Sequence, residues 1–254
     1  EPSRNNTAPC IAYASYKILK QNPEANIVVA PSDHLILKER EFLNKISMAL
    51  DYTAVNDALV TLGISPTRPD TGYGYINFKK DGIDGVHQVV QFLEKPVLVM
   101  AQEYLISGDY LWNAGIFIWK AQSIQKAFQK YATEIDILFT KGNDTYNTSD
   151  ETDFINVNYP KSPNISIDYA ILEKADNVFT IPADIGWSDL GTWASLHEAA
   201  EKDEDNNALS VDYLHLEKTN NCIIHLPKGK AAVIKGLEDF IIVDDGKVLL
   251  IYPK

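Results

Sequence analysis

Asp33 stands in Pro31-Ser32-Asp33-His34, directly after the apolar run Ile27–Ala30. In open α/β sheets, ligands bind beyond the carboxyl ends of strands. A carboxylate there can hold a cation whose other oxygens come from substrate and water, since Mg²⁺ takes only one or two protein carboxylates. The ordinary alternative is a turn or helix-cap aspartate. Asp189, in Ile185-Gly186-Trp187-Ser188-Asp189-Leu190-Gly191-Thr192-Trp193, is a second such group, or the cap of a helix beginning near Thr192. Gly72 and Gly74 flank Tyr73, a pattern that lets backbone N–H groups approach sugar or phosphate oxygens, or that makes a plain hairpin. Glu94-Lys95-Pro96 ends a strand-like run. Lys95 could meet a phosphate and Glu94 could accept from hydroxyls; a solvated charge pair is the alternative. Asn113, before an apolar strand, offers both a donor and an acceptor, although Asn in that place is often only a turn residue.

The elements that must position these groups follow from periodicity. Thr7 is the expected cap of a helix with Pro9 in its first turn and a stripe of Ile11, Ala14 and Ile18. Ile27–Ala30 fits a strand buried on both faces. A helix with Leu43, Ile46 and Leu50 on one side follows, then a strand over Ala58–Leu62, so the order is that of a βαβ unit. Strands are expected at Tyr73–Phe78, His87–Leu93 and Ile116–Trp119. Helices are expected at Ala101–Ile106, Ser123–Tyr131, Ile167–Ala175 and Thr192–Ala200, the last with Trp193, Leu196 and Ala200 on one face. Lys141–Asn164 is polar and turn-rich and reads as a surface excursion. After Glu201 a charged linker leads to short strand-like runs at Asn221–Leu226, Ala231–Ile234, Phe240–Val243 and Lys247–Tyr252, separated by turn residues. Stacked coils fit them better than a meander. The domain expectation is residues 1–201 as an α/β domain and 207–254 as a small β region.

Bulk properties narrow the functional classes. The 254 residues are 45% hydrophobic and 10% aromatic, enough for a packed core. A net charge of -12 argues against a nucleic-acid binder, which needs a basic face. No apolar run reaches membrane-spanning length. The only cysteines, Cys10 and Cys222, suit a reduced, cytoplasmic setting. None of the five histidines has zinc-ligand spacing.

The ordered stretches EPSRNNTAP, VVAPSDHLI, GISPTRPDTGYGYI, FLEKP, YLWNAGIF, SIDYAILEK and WSDLGTW, with NCIIHLPKGKAAVIKGLEDFIIVD behind them, resemble the mannose-1-phosphate guanylyltransferases among sugar-1-phosphate nucleotidyltransferases. The resemblance spans nearly the whole chain. It implies an α/β fold, a Rossmann-like nucleotide-diphospho-sugar transferase sheet, with a small C-terminal β region that is a partial left-handed β-helix. It also implies transfer of GMP from GTP to mannose 1-phosphate, giving GDP-mannose and pyrophosphate, with Mg²⁺ as cofactor. By similarity, Asp33 and Asp189 hold Mg²⁺. Glu94, Asn113 and the stretch Gly72, Tyr73, Gly74 contact mannose, and Lys95 faces its phosphate. Asn6 and Thr7 line the guanine side, and Asp168 caps a helix start beside the sugar. A homodimer is left open. The family's opening segment, G-G-x-G-T-R-L-W-P-L-S-R, has no counterpart. The sequence is therefore expected to cover part of a longer protein and to be inactive alone. Asn5 and Ala114 stand where the family often has Arg and Ser. Two rivals are a nucleotidyltransferase for another base or sugar and a non-catalytic sugar-nucleotide-binding subunit. A third, a two-carboxylate glycosidase, would need no metal.

Overall fold

A computed structural model describes residues 1–254, which divide into two compact units. The first comprises residues 1–32 and 36–185; the second comprises residues 33–35 and 186–254.

The first unit opens with α1 (Thr7–Gln21), β1 (Asn26–Val29), α2 (Glu39–Val55) and β3 (Leu59–Ile64); the two-residue β2 (Leu35–Ile36), between β1 and α2, begins in the second unit with Leu35. It continues with β4 (Gly74–Phe78), β5 (His87–Glu94), α3 (Leu98–Ser107), β6 (Tyr110–Lys120), α4 (Ala121–Tyr131), α5 (Thr133–Thr140), α6 (Glu151–Asn158) and β7 (Val178–Pro182). Six of these strands form one sheet in the order β1-β6-β3-β7-β5-β4, and β4 also pairs with β6. The central strand β3 is buried along almost its whole length; its residues are apolar apart from Thr61 and Gly63.

The eleven-residue β6 is the spine of this sheet. On one edge it pairs with β3; on the other, residues 110–112 pair with β4 and residues 117–120 with β1. Residues 113–116 lie where those two neighbours part. There the β3 register jumps, Thr61 facing Phe117 and Gly63 facing Asn113, so β6 bulges. Bulges bend a strand and re-aim its side chains.

Some sequence expectations need correction. β1 is an edge strand, antiparallel to β6, and Val28 is 40% exposed, so it is not buried on both faces. In α1 the inward face is Ala8, Ile11, Ala12, Ser15 and Tyr16, and Ala14 lies outside it. In α2 the inward residues are Ile46, Ala49 and Thr53; Leu43, one turn earlier, projects to solvent. The stretch 141–164 is not a surface excursion. It contains α6 and a 3₁₀ turn at Tyr159–Lys161, and it inserts Tyr146, Ile155 and Tyr159 into the core with Tyr16, Trp119, Phe128 and Phe139. Scattered aromatic residues among polar ones give no periodic signal, yet each ring buries a large area.

The second unit holds β8 (Trp187–Ser188), which pairs with β2, then α7 (Trp193–Ala199), β9 (Ala208–Ser210), β10 (Tyr213–Glu217), β11 (Ile223–His225), β12 (Ala231–Lys235), β13 (Phe240–Asp244) and β14 (Leu249–Pro253). β9, β11 and β13 stack in parallel, as do β10 and β12, which is the arrangement of successive coils. β14 adds antiparallel to β13. Cys222, Ile224, Leu226 and Ile242 fill the interior. α7 reverses its expected face: Ser195 and His197 are buried, whereas Trp193 and Leu196 are partly exposed. Ser195 is drawn in by a capping box with Thr192, and His197 Nε2 bonds the Asn206 carbonyl at 2.8 Å.

Candidate functional site

Six of the sequence-selected positions meet in the first unit. Gly74 faces Glu94 across the β4–β5 pair, so the glycine places no side chain over the carboxylate. A Cβ on Gly74 would lie 2.3 Å from Glu94 Oε2 and 3.5 Å from the Asn113 Cβ. Asn113, at the start of the β6 bulge, donates from Nδ2 to Asp168 Oδ1 at 3.0 Å. Lys95 follows Glu94 with its Nζ 3.8 Å from Glu94 Oε1 and its side chain largely in solvent. Tyr73 is buried and packs edge-on against Trp112, with ring centroids 5.0 Å apart.

Burial dominates the electrostatics of the two carboxyls. It pushes Glu94 up to about 7, helped by the negative charge of Asp168 and opposed by Lys95. Burial likewise raises Asp168, against the hydrogen bonds it accepts from Ser166 and Asn113. Two carboxyls as acceptors beside a donor amide can meet hydroxyl groups in both hydrogen-bond directions. That suits a polyol such as a sugar.

Asp168 opens a single π-turn, Asp168–Leu172, a helix variant frequent at functional sites. It makes no side-chain cap there; its carboxylate goes to Asn113, which corrects the expected capping role. Thr7 and Ala8 attach to the segment just before it. Thr7 Oγ1 accepts from the Ile167 N–H at 2.8 Å, and the Ala8 N–H donates to the Ile165 carbonyl at 3.1 Å. Asn6, rather than Thr7, is the residue that caps α1. Asn5 donates to the Ser162 carbonyl at 2.7 Å and so ties the N-terminal stretch to the 3₁₀ turn.

Sequence reasoning missed the brace behind Tyr73. Arg68 stacks its guanidinium 5.2 Å from the Trp112 ring centre and 5.7 Å from that of Tyr73. Its Nε and Nη2 both donate to Asp70 Oδ2, at 3.0 and 2.8 Å. Asp70 Oδ1 in turn accepts from the Gly72 N–H at 2.7 Å, so this N–H, read from sequence as open to a ligand, is committed inside the loop. The Arg-Pro-Asp spacing ahead of Thr71-Gly72 was the available signal.

Asp33 and Asp189 both belong to the second unit. Asp33 lies two residues before β2 and Asp189 directly after β8, the strands that pair. Beside them the Trp187 indole N–H donates to His34 Nδ1 at 3.1 Å, which fixes the imidazole with its proton on Nε2. Asp189 Oδ1 accepts from the Gly191 N–H at 3.0 Å, while Thr192, not Asp189, caps α7. No group of three His, Cys, Asp or Glu able to hold a metal is present. A carboxylate pair with substrate oxygens is a donor set that fits a hard cation such as Mg²⁺.

Three of the sequence-selected places carry left-handed backbone at non-glycine residues. Asn6 has φ 67°, Lys95 beside Glu94 has φ 48°, and Leu190 beside Asp189 has φ 49°. Such conformations cost about 1–3 kcal/mol each; Asp84, Asn147, Asn206, Lys218, Asn221 and Asp239 share them outside these places.

Comparison with known proteins accords with this geometry. The nucleotidyl transferase family profile matches residues 1–206. The mannose-1-phosphate guanylyltransferase of Salmonella montevideo is 35% identical across 99% of this chain and 54% of its own length. The alginate biosynthesis protein AlgA of Pseudomonas putida is 32% identical across all of this chain and 52% of its own length. The chain thus spans about half the length of the curated relatives it matches. A crystal structure from Thermus thermophilus, described as a mannose-1-phosphate geranyltransferase, superposes over the whole chain and 72% of its own, with a TM-score of 0.88 and 25% identity. No helix of the structure is long and apolar enough to cross a membrane. From sequence profile, curated relatives and superposed structure together, the chain belongs to the nucleotidyl transferase family.

Proposed function

We propose that the protein makes GDP-mannose, transferring GMP from GTP to mannose 1-phosphate with release of pyrophosphate. The observation that carries this reading is the Gly74, Glu94, Asn113 and Asp168 cluster, a hydroxyl-binding set in a chain whose relatives are named for that reaction. A phosphate oxygen of the sugar phosphate attacks the α-phosphorus in line. The new P–O bond forms as the bond to the bridging oxygen breaks, and pyrophosphate carries the electron pair away. No covalent protein intermediate is needed, so the work of the chain is positioning and charge neutralisation.

Glu94 and Asp168 accept from mannose hydroxyls while Asn113 donates. The exposed Lys95 ammonium, on a backbone bent by its positive φ, meets the sugar phosphate as a point charge. Tyr73 forms the wall of the sugar site, with Gly72 and Gly74 leaving room for the ring. Asn6 and Thr7 face the guanine. Asp33 and Asp189 would hold Mg²⁺, which when bound screens the converging phosphates. Cys10 and Cys222 are unpaired, as a reducing cytoplasm would leave them.

Pyrophosphate release by the full natural chain, measured for GTP, ATP and dTTP against several hexose 1-phosphates, tests the reading. GTP with mannose 1-phosphate should give the highest kcat/KM. A better pair would reassign the substrates, and tight GDP-mannose binding with no turnover of any pair would mark a non-catalytic subunit.

A further inference from the structure

The Asn113 carboxamide has only one orientation available, and neither the family motifs nor the sequence spacing singles out the groups that impose it. Gly115, at φ 68°, turns its N–H out of the sheet ladder and donates to Asn113 Oδ1 at 3.0 Å. A backbone N–H can only donate, so the atom facing it must be the amide oxygen. Behind it stands Thr61, fully buried on β3, with its hydroxyl 3.2 Å from Asn113 Oδ1 and 3.2 Å from the Ile116 carbonyl. That hydroxyl spans the bulge of β6 from the neighbouring strand. The hydroxyl has one hydrogen, which it gives either to Asn113 Oδ1 or to the Ile116 carbonyl, while the Gly115 N–H holds the amide oxygen throughout. The NH₂ is left to serve Asp168 with one hydrogen and a ligand with the other.

We propose that Thr61 and the Gly115 bulge are positioning residues that lock Asn113 as a pure donor toward the sugar. The ligand oxygen at Asn113 must then accept, while the neighbouring carboxyls supply the acceptors. This deepens the sugar-binding reading above and rests on it. Thr61 contacts no ligand itself; it acts through Asn113. The device also gives the bulge a function. An unbroken β6 would pair residue 115 with the ladder and leave the amide free to flip.

Steady-state kinetics of the full natural chain with mannose 1-phosphate and GTP tests the lock through Thr61→Val, Thr61→Ser and the same changes in an Asn113→Ala background. Thr61→Val should raise KM for mannose 1-phosphate about tenfold, the effect expected of a buried hydrogen bond left unmade, with kcat and the KM for GTP nearly unchanged. Thr61→Ser, which keeps the hydroxyl, should restore the wild-type value. In the Asn113→Ala background Thr61→Val should add nothing further. A folded Thr61→Val enzyme with unchanged sugar KM would overturn the proposal, as would an undiminished effect when Asn113 is already Ala. Hydrogen exchange of the Asn113 side-chain NH₂, followed by NMR, reads the lock without activity. It should be protected in the wild type and in Thr61→Ser and lose that protection in Thr61→Val. If the wild type turns over no sugar phosphate, the functional reading falls while this exchange still decides the lock; equal exchange in wild type and Thr61→Val overturns it.

Discussion

Glu94 is the residue whose chemistry is most open to measurement. Its carboxyl ordinarily titrates near pH ~4.3 and is held up to about 7 here, chiefly by burial. A raised acid binds more protons folded than unfolded, so folding stability declines as pH climbs from the ordinary carboxyl range toward about 7. Binding has the opposite sense, because only the carboxylate accepts freely from a hydroxyl. For mannose 1-phosphate, kcat/KM should rise with pH through an inflection at about 7 in the wild type. Glu94→Gln should remove that inflection and leave only the one due to the substrate phosphate, near pH ~6. An unchanged inflection in the variant would separate Glu94 from sugar recognition. Glu94, Asn113 and Asp168 were legible in the sequence because each sits in a short, continuous word. Thr61 and Arg68 were not. Thr61 acts on Asn113, far along the chain, and Arg68 acts through stacking on Trp112, so no local spacing exposes either.

At the scale of elements, β6 organises the first unit. Its two halves pair with β4 and β1 along one edge, and the bulge between them carries Asn113 and Gly115. The apolar run after Asn113 announced a strand, but its length, partners and bulge depend on β3, which sequence cannot align. Helix positions were largely legible from their period, whereas the inward faces of α2 and α7 were not, since neighbouring elements choose them. The burial of Tyr146 and Tyr159 was missed for the same reason. The core these rings join should be brittle. Phe128, fully buried and edge-on to Tyr16 at 6.3 Å, should cost about 3–5 kcal/mol when changed to Ala, read from urea unfolding. A loss below about 1 kcal/mol would mean that the α1–α4 packing relaxes freely around the void.

At the scale of the whole molecule, an acidic chain with net charge -12 is read as an enzyme for polyanionic substrates. The global field opposes such ligands, so local cations and a divalent metal must dominate near the reacting phosphates. Lys95 supplies one such charge, and the account needs Asp33 and Asp189 to supply the metal's anchorage. Their placement in one unit, flanking the paired strands β2 and β8, was not derivable from positions so far apart in sequence. The most direct test is pyrophosphate release by the full natural protein at saturating GTP and mannose 1-phosphate, with Mg²⁺ present, for wild type, Asp33→Ala and Asp189→Ala. The account predicts that each variant keeps its fold and loses more than about tenfold in turnover, a change of ~1.4 kcal/mol or greater. Folded variants that retain more than about a tenth of wild-type turnover would contradict it.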